Sequence, residues 1–260
     1  MIYGLTSLSG SPGVTTTAVA WATTSARPTL LLEADMTGGS AILAGRFRSE
    51  VAHEHTILAM ATRDGDTSVM EVLRAQSVTL PGAVADSALI PTIAEHQQAT
   101  VLQPCWAETA QALTELSQDG GVDVIIDFGR ATTNGLPWSL AERVDALVVM
   151  CWTTLPALIA LANGAPGLRD QLHTPHLSVL FVEAGLGGYP VGAASQVAPI
   201  DVLGSLPHTP RAAAAYSQGY KMTRASTLRA YHRALDRVRT DAGQHAARHR
   251  QELLGEGSPV

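Results

Sequence analysis

The stretch that decides the fold is IYGLTSLSGSPGVTTTAVAWATTSA, residues 2–26. It opens on a near-continuous apolar run of strand length, residues 2–8. A glycine-rich turn, Gly10-Ser11-Pro12-Gly13, interrupts the run. Residues 15–26 then read as a helix with threonines at its start. A buried strand that turns through glycines into a helix points successive backbone N–H groups at one place, and the helix dipole adds roughly half a positive charge there. This is the geometry of an anion cradle, with phosphate as its usual occupant.

The rest of the chain repeats the alternation. TLLLEA (29–34), VDVIIDFG (122–129), ALVVMC (146–151) and LSVLFVEA (177–184) are near-continuous apolar runs. Such runs belong to strands covered on both faces, as in parallel sheets. ATVLQP (99–104) reads as a further strand. Helices are expected over TSVMEVLRAQ (67–76), AETAQALTELSQ (107–118, stopped by Gly120-Gly121), within PALIALANGAPGLRDQL (156–172), and over STLRAYHRALDRVRTD (226–241). Residues 51–98 are polar with weak periodicity. The pattern predicts an α/β fold: a doubly wound, mostly parallel sheet flanked by helices, with ligands beyond the carboxyl ends of the strands. One domain is expected over residues 1–243, followed by a polar, flexible tail over 244–260.

Composition narrows the class. Apolar residues make up 46% of the 260 residues and charged residues 15%, which excludes a disordered chain. Cys105 and Cys151 are the only cysteines and stand outside any C-x-x-C, which excludes a zinc ribbon, a thioredoxin-type site and a disulfide scaffold. No signal-peptide pattern is seen and no run nears the ~18 apolar residues of a membrane span. The expectation is a cytoplasmic protein that meets a membrane, or the cell pole, only peripherally. G-x-S-x-G and H-E-x-x-H are absent, which argues against serine hydrolases and zinc proteases.

Charge is unevenly spread. The net charge of −6 divides into −11 over residues 1–210 and +5 over 211–260, and Lys221 is the only lysine. The complete phosphate loop, G-x-x-x-x-G-K-[ST], needs a lysine near its end, and none is available here.

Four segments in order resemble the ParA/MinD family of P-loop ATPases. In SGSPGVTTT (9–17), Gly10, Gly13, Thr15 and Thr16 match the family's K-G-G-x-G-K-[ST]-[ST], while Ser9 and Val14 stand where its two lysines belong. LLEADMTGGS (31–40), with Glu33-x-Asp35, resembles its acidic switch I. DVIIDFGR (123–130) places Asp127 at the Walker B position. LGSLPHTPRAAAAYSQG (203–219) is similar to its closing pattern. The likeness spans nearly the whole chain and is greatest to members that lack the lysines and carry D-x-G-R, such as the TadZ/CpaE-type proteins of pilus assembly.

The resemblance implies ATP or ADP with Mg²⁺ as ligand, weakly held. Gly10, Ser11, Gly13, Val14, Thr15 and Thr16 would surround the phosphates, and Pro207 and Arg211 the base. Thr15 and Asp127 would hold the metal, and Asp35 and Asp127 are the implied catalytic carboxylates. The loss of one charge-assisted bond weakens binding roughly ten- to hundred-fold. Each lost cation also removes about 3–4 kcal/mol from the transition state, so hydrolysis is expected to be very slow or absent. Pro12 takes one more N–H from the loop. Arg130 is the candidate replacement charge.

The implied function is a dimeric localisation or assembly scaffold for a pilus, secretion or conjugation apparatus. The competing reading is an active ParA-type partition ATPase on nonspecific DNA. A small-molecule enzyme ranks third. On the last helix Leu228, Tyr231, Leu235 and Val238 form an apolar face, and Arg229, Arg233 and Arg237 a basic one. The basic face is either a solvated surface or a contact for DNA phosphates or anionic lipid. Leu253 and Leu254 alone are too little for a strong membrane anchor. His245 and His249 have the i, i+4 spacing of a metal pair, but the sequence shows no third ligand.

Overall fold

A computed structural model describes residues 1–131, 136–220 and 225–256. In chain order its elements are Ile2–Ser7 (β1), Val14–Thr24 (α1), Thr29–Glu33 (β2), Ala41–Gly45 (α2), Val69–Gln76 (α3), Val78–Thr79 (β3) and Ser87–Ile90 (β4). Ala99–Leu102 (α4), Trp106–Asp119 (α5), Asp123–Arg130 (β5), Trp138–Ala141 (α6), Ala146–Trp152 (β6) and Leu155–Gln171 (α7) follow. The chain closes with His176–Val182 (β7), Val191–Gln196 (α8), Asp201–Leu206 (β8), Pro210–Ser217 (α9) and Ala225–Glu256 (α10).

The strands form one eight-stranded sheet in the order β3-β4-β2-β5-β1-β6-β7-β8. All neighbours are parallel except β3, which runs antiparallel to β4 at the edge. Side chains alternate between two cores. Val124, Ile126 and Phe128 of β5 face the layer of α3, α5 and α7. Ile125, with Leu5, Leu31 and Val148 from the neighbouring strands, faces the layer of α1, α9 and α10. These four side chains are fully buried, and each contributes about 1.5–3 kcal/mol by leaving water. The expected doubly wound, mostly parallel sheet is the observed one.

Two local expectations fail. Residues 99–104 are helical (α4, then a 3₁₀ turn over Gln103–Cys105), not a strand. A capping box between Glu95 and Gln98 turns the chain into helix there. Leu102, Trp106, Ala110 and Leu113 then carry one buried stripe at helical spacing through α4 and α5. The missing strand is Ser87–Ile90, too short to stand out in its polar surroundings. At the other end, α10 runs on to Glu256 through most of the segment expected to be a flexible tail. Its apolar stripe continues from Tyr231, Leu235 and Val238 to Ala242 and Ala246, both buried, and alanine was too weak an apolar signal in the sequence. An Arg250–Asp145 ion pair also ties this part of α10 to the residue before β6. Residues 257–260 of the expected tail, and Lys221, lie outside the described residues.

Candidate functional site

β1 delivers the chain into the loop at the carboxyl edge of the sheet, and Gly13 (φ 90°) turns it into α1. Gly10 (φ 62°) makes the other left-handed turn of the loop, a conformation natural to glycine. Gly13 has no side chain with which to cap α1, so the amides of the first turn face the mouth of the loop unclaimed by a cap.

Three carboxylates from two neighbouring strand ends gather beside this loop. Asp127, near the end of β5, is 1% exposed. It accepts a hydrogen bond from the Gly129 N–H at 2.9 Å, and the Thr15 side chain lies beside it. Burial pushes its carboxyl up to about 6, with the neighbouring Thr15 hydroxyl and the Gly129 N–H opposing it and the nearby Asp35 charge acting in the same direction as burial. Asp35 follows β2, and its Oδ1 accepts both the backbone N–H (2.9 Å) and the hydroxyl (2.8 Å) of Thr37. Its carboxylate lies so close over Gly129 that a Cβ there would sit 2.0 Å from Oδ2, and Gly129 also has φ 60°. The glycine of D-x-G-R is thus required twice, by backbone conformation and by space.

Glu33 pairs with Asp127 in the β2–β5 register and is 3% exposed. It accepts from the Ser40 hydroxyl, from Ile42 N–H at 3.4 Å and from Thr92 N–H at 3.3 Å. Burial, aided by the charge of Asp127, raises its carboxyl to about 7. Its role is to fasten the segment after β2 to the chain following β4.

The two lysine positions differ in environment. Val14 is 6% exposed and packs into the core beneath α1, whereas Ser9 is half-buried in the loop. Arg130, exposed at the end of β5, donates from both Nε (3.1 Å) and Nη2 to the Gly10 carbonyl. A cation therefore rests on the loop from the side opposite in sequence to the missing ones.

A cavity of about 300 Å³ adjoins the loop, lined by Ser11, Gly13 and Thr16 on one side and by Trp152, Pro207 and His208 on the other. Trp152 and His208 meet edge to face with ring centres 5.0 Å apart. Thr17 and Tyr231 also line it. A second cavity, about 640 Å³, lies between Asp35, Thr37, His96, Gln103 and Arg130. The structure thus brings Gly10, Ser11, Gly13, Thr15, Thr16, Asp35, Asp127, Arg130 and Pro207 to one edge of the sheet. Arg211 does not join them, being exposed in the first turn of α9 and outside the cavity lining.

Trp152 and Tyr231 were not expected here, whereas His208 falls within the loop around Pro207 to Arg211 that the resemblance sets against the base. Trp152 reads only as a strand end and Tyr231 only as core, and nothing local marks either as a cavity wall. The Thr15 hydroxyl and the Asp127 carboxylate are hard oxygen donors side by side, which fits Mg²⁺. On α10 Arg229, Arg233 and Arg237 are all exposed, as their spacing required. No helix among the described residues is long and apolar enough to cross a membrane.

No family model and no curated protein matches the sequence. Solved structures do match its fold. The chain is similar to the MinD cell division protein of Aquifex aeolicus, with a TM-score of 0.68, 16% identity, and 100% of this chain and 99% of that chain covered. It is similar to a ParA family ATPase of Chlorobium tepidum TLS at a TM-score of 0.68 and 12% identity, covering 94% and 98% of the two chains. It is also similar to McdA of Cyanothece, solved as an ATP complex, with a TM-score of 0.65, 19% identity and coverage of 93% and 96%. The chain has the fold of ParA/MinD family ATPases.

Proposed function

We propose that the protein is a degenerate MinD/ParA-like nucleotide-binding protein, with weak or no ATPase activity, that acts as a dimeric localisation or assembly scaffold. Its nearest functional analogues would be the TadZ/CpaE-type proteins that serve pilus, secretion or conjugation machinery. The observation that carries this reading is the contrast within one loop. The Thr15–Asp127 pair that would hold Mg²⁺ is intact, while the position of the phosphate-binding lysine is a valine packed into the core.

In this reading the loop amides and the α1 dipole bind the phosphates, Thr15 and Asp127 orient the metal, and Trp152 and His208 flank the base. When bound, Mg²⁺ would neutralise phosphate charge. Asp35 would orient the water that attacks the terminal phosphate. Without the two lysines the transition state lacks two positive groups, and the step slows by roughly 10⁴–10⁶-fold. Arg130 is the residual cation, and to meet a phosphate its guanidinium must exchange the Gly10 carbonyl for the ligand.

The decisive experiment measures ATP and ADP affinity with Mg²⁺, the hydrolysis rate, and the mass in solution with and without nucleotide. Weak binding without turnover, together with a dimer, supports the proposal. Brisk hydrolysis overturns it. The exposed row of Arg229, Arg233 and Arg237 favours one second reading, an active partition ATPase on nonspecific DNA. Hydrolysis stimulated by DNA would select it.

A further inference from the structure

At the opposite edge of the sheet, three histidines converge from two elements. His176 opens β7, while His245 and His249 come from successive turns of α10. The ring centres of His176 and His245 are 5.2 Å apart, and those of His176 and His249 are 5.7 Å apart. Asp201, the first residue of β8, places Oδ2 at 3.7 Å from His176 Nε2. With Arg248 and Glu252 these residues line a polar cavity of about 360 Å³. Each imidazole leaves one buried nitrogen without a hydrogen-bond partner: His176 Nε2, His245 Nδ1 and His249 Nε2. Orphaned nitrogens are rare in folded proteins and call for an occupant.

We propose that His176, His245, His249 and Asp201 form a structural site for a divalent transition metal of the zinc class, which clamps the far end of α10 onto the β7–β8 edge. The donor set, three imidazole nitrogens and a carboxylate oxygen, suits that metal. Two imidazoles bound at about 2.0–2.1 Å to one tetrahedral ion hold their ring centres about 5 Å apart, and a nitrogen and an oxygen on that ion lie about 3.3 Å apart. The observed ring-centre spacings of 5.2 and 5.7 Å exceed the first by about 0.2 and 0.7 Å, and the 3.7 Å from His176 to Asp201 exceeds the second by about 0.4 Å. The other nitrogen of His249, Nδ1, faces Glu252 Oε2 at 3.9 Å, the arrangement by which a carboxylate orients a ligating imidazole. Among the described residues no three donors are already spaced to hold an ion. Closure therefore requires rotation of an imidazole, and the cavity gives room for it.

The test titrates the metal-stripped full-length protein with Co²⁺ and then displaces it with Zn²⁺. One equivalent of Co²⁺ is expected to give the strong visible absorption of a tetrahedral site, with a melting temperature raised by about 5–10 °C at a hundred-fold excess over Kd. His176→Gln and His245→Gln are expected to abolish the absorption. Glu252→Gln, which leaves the ligands intact, is expected to weaken binding ten- to hundred-fold. His173→Gln, an exposed histidine outside the cluster, is expected to change nothing. Absence of stoichiometric Co²⁺ binding by the wild type overturns the proposal. So does equal binding by His176→Gln, or a cluster that responds to acid but not to metal.

Discussion

Glu33 offers the sharpest physical test of the carboxylate cluster. Its carboxyl is raised from an ordinary 4.5 to about 7, chiefly by burial. Such a displacement corresponds to about 3 kcal/mol between the protonated and ionised forms. The folded protein holds this proton to higher pH than the unfolded chain does. Between pH 4.5 and about 7 the native state thus binds more protons, and stability falls as pH rises through that window. Asp127, raised from 3.8 to about 6, adds a loss of the same sign over a lower window. Glu33→Gln keeps an acceptor for the Ser40 hydroxyl and removes the titration. In urea unfolding from pH 5 to 8, the wild-type midpoint is expected to drop with pH by about 1 M, taking a slope near 3 kcal/mol/M. The Glu33→Gln midpoint is expected to be nearly flat above pH 6. A wild type whose stability is constant or rising over this range, or a variant that keeps the full pH dependence, refutes the burial argument.

Other perturbations probe the rest of the site. Gly129→Ala forces a side chain into a left-handed backbone position and displaces Asp35 from the Thr37 bonds. It is expected to destabilise the fold by about 2–4 kcal/mol in denaturant unfolding, and a loss under 1 kcal/mol contradicts the close approach. Arg130→Ala is expected to weaken ATP binding ten- to hundred-fold by calorimetry, and equal affinities eliminate Arg130 as the residual cation. If α10 contacts DNA phosphates, replacing Arg229, Arg233 and Arg237 together by glutamine lowers the slope of log affinity against log salt by about 3. An unchanged slope assigns the row to solvent.

The parts legible in sequence are those with local causes. A strand, two glycines and a threonine-led helix sit within twenty-five residues, and Asp35 and Asp127 each close a recognisable apolar run. Glu33 was visible as an acid, but not its partners, because Ser40 and Ile42 sit at the start of α2 and Thr92 follows β4, two places far apart in sequence. Trp152 and His208 form one wall only because β6 and the loop after β8 end on the same edge of the sheet. The histidine cluster failed to register for the same reason, since its third ring lies on a strand far upstream of α10. Residues 99–104 misled because Val101 and Leu102 look like strand residues, whereas Val101 is exposed and Leu102 alone begins the stripe that Trp106 and Ala110 extend.

One continuous α10 of 32 residues is a rod about 48 Å long. Near its start Tyr231 lines the cavity beside the loop, and near its finish Ala246 and His245 rest at the far edge of the sheet. Helices of this kind bend little, so any displacement of Tyr231 by a ligand must either be absorbed by local unwinding or swing the outer arginines and the distal histidines together. Were both proposed ligands to bind, α10 would join them as a single lever, its two ends under separate chemical control.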